Sequence, residues 1–183
     1  MPDQDFLIKL SYIEIYNEKV YDLLEKSKPE IARIFENGDV SLPQKVVDSK
    51  EKMMRCFKMG DVMRRFRATK SNERLSRSHV VFQISIESVG IKSVHGSVAL
   101  TLVDLAGSEP GNSAKTQTKS LNMSIQAFNN VIRTLSEGKR LLVNYRDSRL
   151  TRILSNSLGG NTLTSIICTA SPAVLKATQS TLL

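Results

Sequence analysis

One strand-like run that ends in an acidic residue constrains the fold of this chain more than any other feature. The residues from Val98 to Val103 are almost all apolar or β-branched, and the pattern stops at Asp104. A short apolar run of this kind is typical of a strand buried on both faces of an α/β sheet. The sequence therefore predicts an α/β fold in which a buried strand carries a carboxylate at its carboxyl end.

Two interpretations fit the residues that follow this strand. Asp104 is well placed to hold a water molecule on Mg²⁺, and Gly107, which lacks a Cβ atom, would let a backbone N–H approach a phosphate oxygen. The alternative is a tight Asp-x-x-Gly turn without a ligand, and such turns are common. For these four residues alone, the turn is the better interpretation.

A polar cluster ahead of the preceding strand changes that balance. Residues 72–79 read Asn-Glu-Arg-Leu-Ser-Arg-Ser-His, and the run that follows places alternate side chains from Val80 to Ile86 on one face of a strand. Serine hydroxyls can ligate Mg²⁺ or bond a γ-phosphate, and an arginine can pair with a carboxylate such as Glu109. The pattern indicates two loops that are latched together beside a phosphate.

The two polar stretches closely resemble switch I and switch II of the kinesin motor domain. Residues 72–79 correspond to N-x-x-x-S-R-S-H, and residues 102–109 read L-V-D-L-A-G-S-E. Three further stretches resemble motifs of the family, and all five occur in the family's order. The three are S-x-x-E-I-Y-N-E-x-x-x-D-L-L at 11–24, N-x-S-I-x-x-F-x-x-V-I-x-x-L at 122–135, and Y-R-D-S-R-L-T-R-I-L with S-L-G-G-N at 145–161. The wording of the last motif leans toward the kinesin-7, centromere-associated group.

The resemblance implies a fold and its extent. We expect a partial P-loop NTPase motor domain of the kinesin type, with a mixed central sheet flanked by helices and residues 1–183 as one domain. The family's phosphate-binding loop, G-x-x-x-x-G-K-[ST], does not occur in these residues, and the nearest glycine pair, Gly159 and Gly160, is better explained as a helix end. The chain would then be the C-terminal half of a motor domain, truncated before the P-loop and within the last helix.

The resemblance also assigns roles to individual residues. Asp104 and Ser76 would hold Mg²⁺ through water, and Gly107 would contact the γ-phosphate. Arg77 and Glu109 would form the latch between the switches. The expected catalytic residues are Ser76, Arg77, Asp104, Gly107 and Glu109. The expected nucleotide-binding residues are Arg64, Asn72, Ser76, Asp104 and Gly107. The expected microtubule-binding residues are Tyr145, Arg146, Asp147, Arg149 and Arg152.

Two departures from the family pattern affect the switches. Leu75 stands where the family has a second serine before the arginine, which replaces a hydroxyl beside the γ-phosphate with an alkyl chain. The loop after Glu109 is several residues shorter than in the family, and Pro110 occupies a position that is usually basic or polar. Together with the missing phosphate-binding loop, these changes predict weak or absent binding of ATP and Mg²⁺.

Two functions remain open from the sequence. The favoured one is a fragment of an ATP-driven microtubule motor, from a family of microtubule-stimulated ATPases, that does not hydrolyse ATP on its own. The alternative is a non-catalytic microtubule-binding interaction protein derived from a kinesin. A myosin-like P-loop motor is disfavoured, because the sequences at 76–79 and 104–109 suit kinesins better.

The charge balance favours an acidic partner. The chain has 26 basic and 18 acidic residues and a formal charge of +8, which fits nucleic acid, an anionic membrane surface or the acidic surface of a microtubule. Zinc spacing, an aromatic RNP signature, an amphipathic basic helix and a transmembrane run are all missing from the sequence, so no specific nucleic acid and no membrane partner is expected. The resemblance selects the microtubule and implies a cytoplasmic location on the microtubule cytoskeleton, including the spindle.

Periodicity and capping residues predict the helices. Asp48 would begin a capping box for a helix that Gly60 ends. Apolar residues at alternating spacings of four and three predict an amphipathic helix over 121–137, which by resemblance would connect the nucleotide to the filament. Ser148 or Asp147 would cap the helix that follows.

Apolar runs and turn residues predict the strands. Residues 80–87 and 98–103 would pair as a hairpin, and 163–170 would form a buried strand. Residues 19–24 would form a turn. The expected reduced core thiols are Cys56 and Cys168. Without the first strands of a motor domain, we expect an apolar face and a sheet edge to be uncovered.

Overall fold

The central strand of the molecule is β1 (Asp5–Tyr16). The computed structural model describes residues 5–25, 42–64, 78–89, 94–107, 116–139 and 143–169. The other strands in these ranges are β2 (Lys19–Asp22), β3 (Lys45–Val47), β4 (His79–Val89) and β5 (Val94–Asp104). They form a sheet in the order β2–β1–β4–β5, with β3 also paired to β1, and the described pairings are antiparallel.

Helices cover both faces of this sheet, because alternate side chains of β1 point to opposite sides. The helices are α1 (Lys50–Met63), α2 (Thr116–Ser136), α3 (Arg149–Ile153) and α4 (Ser155–Gly159), with a 3-10 turn at Tyr145–Asp147. Leu10 and Tyr12 pack in one core cluster with Cys56 of α1. Ile13 packs in a second cluster with Leu150 of α3. The predicted α/β class with flanking helices is confirmed.

The β4–β5 hairpin brings Ser78 and His79, the described part of the first candidate switch segment, to the same end of the sheet as Asp104. Val80 pairs with Asp104, and Phe82 pairs with Leu102. His79, the first residue of β4, therefore lies beside the point where β5 ends. The predicted hairpin is confirmed, and so is the alternation that places Val80 and Phe82 in one core cluster.

The prediction that residues 98–103 are buried on both faces is wrong. The side chains of Val98, Leu100 and Leu102 are 67, 56 and 52% exposed. In the described part of the chain, β5 is the last strand of the sheet and pairs with β4 alone. An apolar face and a sheet edge are thus uncovered, as the sequence led us to expect.

The predicted turn over residues 19–24 is also wrong, because the chain returns immediately as strand β2. Asn17 and Glu18 both adopt positive φ angles, 54° and 56°. Two successive residues in this conformation make the tight turn of a β-hairpin. Lys19 consequently pairs with Tyr16, and Asp22 pairs with Ile13.

Two further predictions need correction. Helix α1 is capped by Ser49, whose Oγ accepts the N–H of Lys52 at 3.3 Å, and it runs past Gly60. Residues 163–169 form no strand and are exposed, because no described strand lies beside them to supply hydrogen bonds. Within this segment Cys168 is exposed, so only Cys56 is the buried thiol that we expected.

The second half of the described chain follows the sequence prediction more closely. Helix α2 contains the predicted 121–137 helix except for its last residue, and Gly138 follows it with a φ of +74°. Ser148 caps α3 by accepting the N–H of Thr151 at 3.1 Å. None of the helices in the described ranges is long and apolar enough to cross a membrane.

Candidate functional site

Asp104, the carboxylate at the end of β5, is held by Arg64 at the end of α1. The Nη1 atom of Arg64 lies 2.5 Å from Oδ2 of Asp104. The arginine side chain is 10% exposed and the aspartate 63%, so a largely buried guanidinium meets a carboxylate that faces solvent. The contact brings together two of the predicted nucleotide-site residues.

A close approach between α1 and β1 determines where Arg64 lies. A Cβ atom on Gly60 would be 2.2 Å from Cδ1 of Tyr12, so glycine is required at this contact. The Tyr12 ring stacks on Phe57 with centroids 5.7 Å apart and meets Phe82 edge-on at 5.0 Å. Burial raises the pKa of the Tyr12 hydroxyl. The aromatic cluster supports the helix end that carries Arg64.

His79 is buried behind Asp104 and contacts two other segments. Its Nδ1 atom accepts the backbone N–H of Ala106 at 3.2 Å, and its Nε2 atom lies 2.8 Å from Oγ of Ser124 in α2. Ser124 Oγ donates in turn to the carbonyl oxygen of Leu121 at 2.7 Å. The imidazole therefore touches both the loop that contains Gly107 and helix α2.

A second polar site lies at the tip of the β1–β2 hairpin. Glu18 accepts the backbone N–H of Arg149 at 2.8 Å, which joins this turn to the first turn of α3. The contact bounds a cavity of ≈ 270 Å³. The residues that line it are Glu18, Arg146, Asp147, Ser148, Arg149 and Arg152. Three arginines and two acidic residues thus line one small, partly open cavity.

Burial shapes the electrostatics of this cavity. Burial raises the pKa of Glu18, and the hydrogen bond from Arg149 partly opposes that shift. The Oε1 atom of Glu18 and the Nε atom of Arg152 are buried without a hydrogen-bond partner in the described structure. Both atoms belong to residues that line the cavity, and a buried polar atom without a hydrogen-bond partner carries a desolvation cost.

The structure places the predicted site residues in two groups. Arg64 and Asp104 are paired, and Gly107 lies in the described segment directly after β5. The filament-binding candidates that line the hairpin-tip cavity are Arg146, Asp147, Arg149 and Arg152. Tyr145 instead lies against α4, where a Cβ atom on Gly159 would be 2.1 Å from its Oη atom. The predicted residues outside the described ranges are Asn72, Ser76, Arg77 and Glu109.

Sequence reasoning missed three residues that the structure brings into these sites. Glu18 belongs to the Y-N-E motif, but no local pattern shows that it contacts Arg149, which is 131 residues away. His79 and Ser124 each lie inside a motif, yet their contact across 45 residues follows only from the packing of α2 on the sheet. All three residues lie in stretches of mixed polar and apolar residues, so no local pattern distinguishes them.

Comparison with known proteins assigns a family to this arrangement. The family model described as the kinesin motor domain matches residues 1–183. The chain is 42% identical to human Centromere-associated protein E, covering 99% of this chain and 7% of that protein. It is 41% identical to Kinesin-like protein KIN-7L of Oryza sativa subsp. japonica and 39% identical to human Kinesin heavy chain isoform 5C. These matches cover 93 and 98% of this chain, and 29 and 20% of the relatives.

Solved structures agree with the sequence relatives. A KIF14 fragment, residues 391–755 with ADP in complex with a microtubule, superposes with a TM-score of 0.83 at 31% identity. The match covers 100% of this chain and 58% of that one. A KIF14 dimer with AMP-PNP in complex with a microtubule gives the same TM-score at 33% identity. The chain therefore spans less than a third of these curated relatives and somewhat over half of the solved fragments.

Proposed function

The chain belongs to the kinesin motor-domain family, and we propose that it supplies the microtubule-binding part of a microtubule motor. In this proposal residues 1–183 form one partial motor domain, located on cytoplasmic microtubules and the spindle. The observation that carries it is the convergence of Arg146, Arg149 and Arg152 on one cavity at the start of α3. The KIF14 relatives solved in complex with microtubules support it.

Charge and geometry fit an acidic filament surface. The chain carries a formal charge of +8, and long-range attraction of this sign speeds encounter with an acidic partner. Arginine is suited to such a surface, because its planar guanidinium pairs with carboxylates through two hydrogen bonds. Glu18 fixes the backbone at Arg149, so at least one of these arginines starts from an ordered position.

The described residues supply few ligands for Mg²⁺ and ATP. Asp104 is a suitable ligand for a water on Mg²⁺, but its Oδ2 atom is already paired with Arg64. Within the described ranges, no three His, Cys, Asp or Glu side chains lie close enough together to hold a metal ion. The described residues alone do not make up a complete site for Mg²⁺ and ATP, since four of the predicted site residues lie outside the described ranges.

We therefore propose that the 183-residue chain does not hydrolyse ATP on its own. A second candidate function, a non-catalytic microtubule-binding protein, is favoured by the same pairing of Asp104 with Arg64. The two candidates share the filament face and differ in the ATPase. Microtubule-stimulated phosphate release from the purified chain, measured above a no-protein control, would refute the inactive state that we propose.

Co-sedimentation with microtubules tests the filament face. We expect the double variant Arg146→Glu with Arg149→Glu to weaken binding by roughly tenfold or more at low salt, with the difference shrinking as salt rises. The matched control is Arg55→Glu with Lys58→Glu, two exposed changes on α1 that alter the net charge by the same amount on the opposite face of the sheet. Equal loss in both variants would mean that net charge alone drives binding, and it would refute the assigned face.

A further inference from the structure

The contacts of His79 define the protonation of its ring. Because the N–H of Ala106 donates to Nδ1, that nitrogen carries no proton, and the neutral ring carries its proton on Nε2. Nε2–H then donates to Ser124 Oγ, whose own proton is directed to the carbonyl oxygen of Leu121. The result is a directional chain of three hydrogen bonds from the loop after β5 to the first half of α2.

Because the groups that form these three hydrogen bonds are buried, water cannot easily replace their partners. His79 and Ser124 are each 2% exposed, and Ala106 is 5% exposed. A buried polar group that loses its partner is costly because water cannot replace that partner, so the three bonds favour being made or broken together. Two charged groups influence the ring, since Asp104 favours its protonation and Arg64 opposes it. Burial dominates and lowers the pKa of His79 to about 4, which keeps Nδ1 free to accept at neutral pH.

The position of these three hydrogen bonds within the fold means that a shift of α2 would affect the loop after β5. Asp104 ends β5, Ala106 is two residues further on, and Gly107 follows it directly. His79 starts β4 next to the pair Val80 and Asp104, so the ring is anchored in the sheet. A shift of α2 relative to the sheet would separate Ser124 from the ring, and the Ala106 amide would lose a partner that is held in orientation.

We propose that His79 and Ser124 are positioning residues that couple the backbone of the loop at Ala106 to helix α2. The coupling is a property of the described structure, and only its meaning for a motor rests on the function proposed above. In that context the helix on the filament side and the loop beside Asp104 would change position together. Neither residue is placed in contact with a nucleotide or a filament.

Amide hydrogen exchange of the 183-residue chain, resolved by NMR, tests the coupling. We expect Ser124→Ala to speed exchange at the Ala106 amide by roughly tenfold, although the two residues do not touch. Ser136→Ala is the matched control, because it removes the same kind of hydroxyl-to-carbonyl bond, 2.8 Å long, at an exposed position of α2. Unchanged exchange at Ala106 in Ser124→Ala, with β4 amides also unchanged, would overturn the proposal.

Two further measurements separate coupling from a simple loss of stability. The ¹⁵N shifts of His79 in the unmodified chain should show a protonated Nε2 and an unprotonated Nδ1, and the opposite tautomer would overturn the proposal. His79→Asn keeps an acceptor near the Nδ1 position but does not reach Ser124. In that background, Ser124→Ala should no longer affect Ala106, and a full additional effect would contradict the coupling.

The outcomes also distinguish this proposal from the function on which its meaning rests. If the chain binds microtubules but Ser124→Ala does not change amide exchange at Ala106, the proposed coupling is wrong and the filament function stands. If the exchange responds as expected but the chain does not bind microtubules, the coupling stands and the filament function fails.

Discussion

Strands β1 and β5 lie in the same sheet and have similarly apolar sequences, yet only one of them is buried. Leu10 of β1 and Leu100 of β5 both pair with Ile84 and therefore lie in one row on one face. Leu10 is 0% exposed, whereas Leu100 is 56% exposed. The difference shows that burial in this sheet depends on what covers a strand, since α1 packs over β1 and nothing in the described ranges covers the outer part of β5.

The largest expected effect comes from the same substitution at both ends of this row. Leu10→Ala should lower the free energy of unfolding by about 2–5 kcal/mol, because it leaves a cavity in a packed core. Leu100→Ala should cost less than about 1 kcal/mol, because its side chain already contacts water. Urea unfolding followed by circular dichroism measures both. Equal losses would show that β5 is covered in solution.

This pair of leucines also marks what the sequence could and could not predict. The alternation from Val80 to Ile86 identifies a strand and its core-facing side, because a strand's period follows from local geometry. Burial on the second side depends on neighbours that the local pattern does not contain. The prediction of a strand over 98–103 is therefore confirmed, and the prediction that it is buried is wrong. The buried strand predicted over 163–170 is wrong over its described residues, 163–169, because it too depended on a neighbouring strand that the local pattern does not contain.

The candidate site divides in a similar way. The apolar run predicted Asp104 at a strand end, and a cap at Ser148 or Asp147 predicted a helix that begins next to Arg149, as the structure has them. Neither pattern revealed the contact of Glu18 with Arg149 or that of His79 with Ser124, because both join segments far apart in the chain. Contacts of this kind follow from helix packing rather than from any local pattern.

A pH titration extends the comparison, because His79 lies buried in the covered region at the start of β4. The pKa of His79 is about 4 in the folded chain, against an ordinary value of 6.5. Between these values the unfolded chain binds more protons, so the free energy of unfolding should fall as the pH drops, by up to about 3 kcal/mol. Denaturant unfolding at a series of pH values measures it.

The variant His79→Gln provides the control for that titration. It retains a neutral side chain that can accept and donate hydrogen bonds but does not titrate, so its stability should depend less on pH between about 6.5 and 4. If the wild-type slope persists in this variant, other groups are responsible. Glu18 and Asp22 work in the opposite direction, because burial raises their pKa values and folding then favours their protonated forms.

Two glycines, one in the covered region and one in β5, allow a comparison in which the expected change in stability is smaller. Gly60→Ala should cost about 1–3 kcal/mol, because the new Cβ atom would lie 2.2 Å from the Tyr12 ring and α1 must move. Gly96→Ala in β5 has no atom within 4 Å of its new Cβ, so it should be neutral or slightly stabilising. Thermal unfolding compares the two. A similar loss at Gly96 would indicate that β5 has a neighbour in solution.

The smallest effect on stability, and the most direct test of the open face, is expected from a charge on β5. Leu100→Lys should change the free energy of unfolding by less than about 1 kcal/mol and should reduce self-association, because exposed apolar patches and sheet edges promote it. Sedimentation velocity over a range of concentrations measures the association. Ser97→Lys adds the same charge to the opposite face of the strand. If both variants reduce association equally, the sheet edge or the net charge is responsible, whereas a larger effect of Leu100→Lys assigns association to the apolar face.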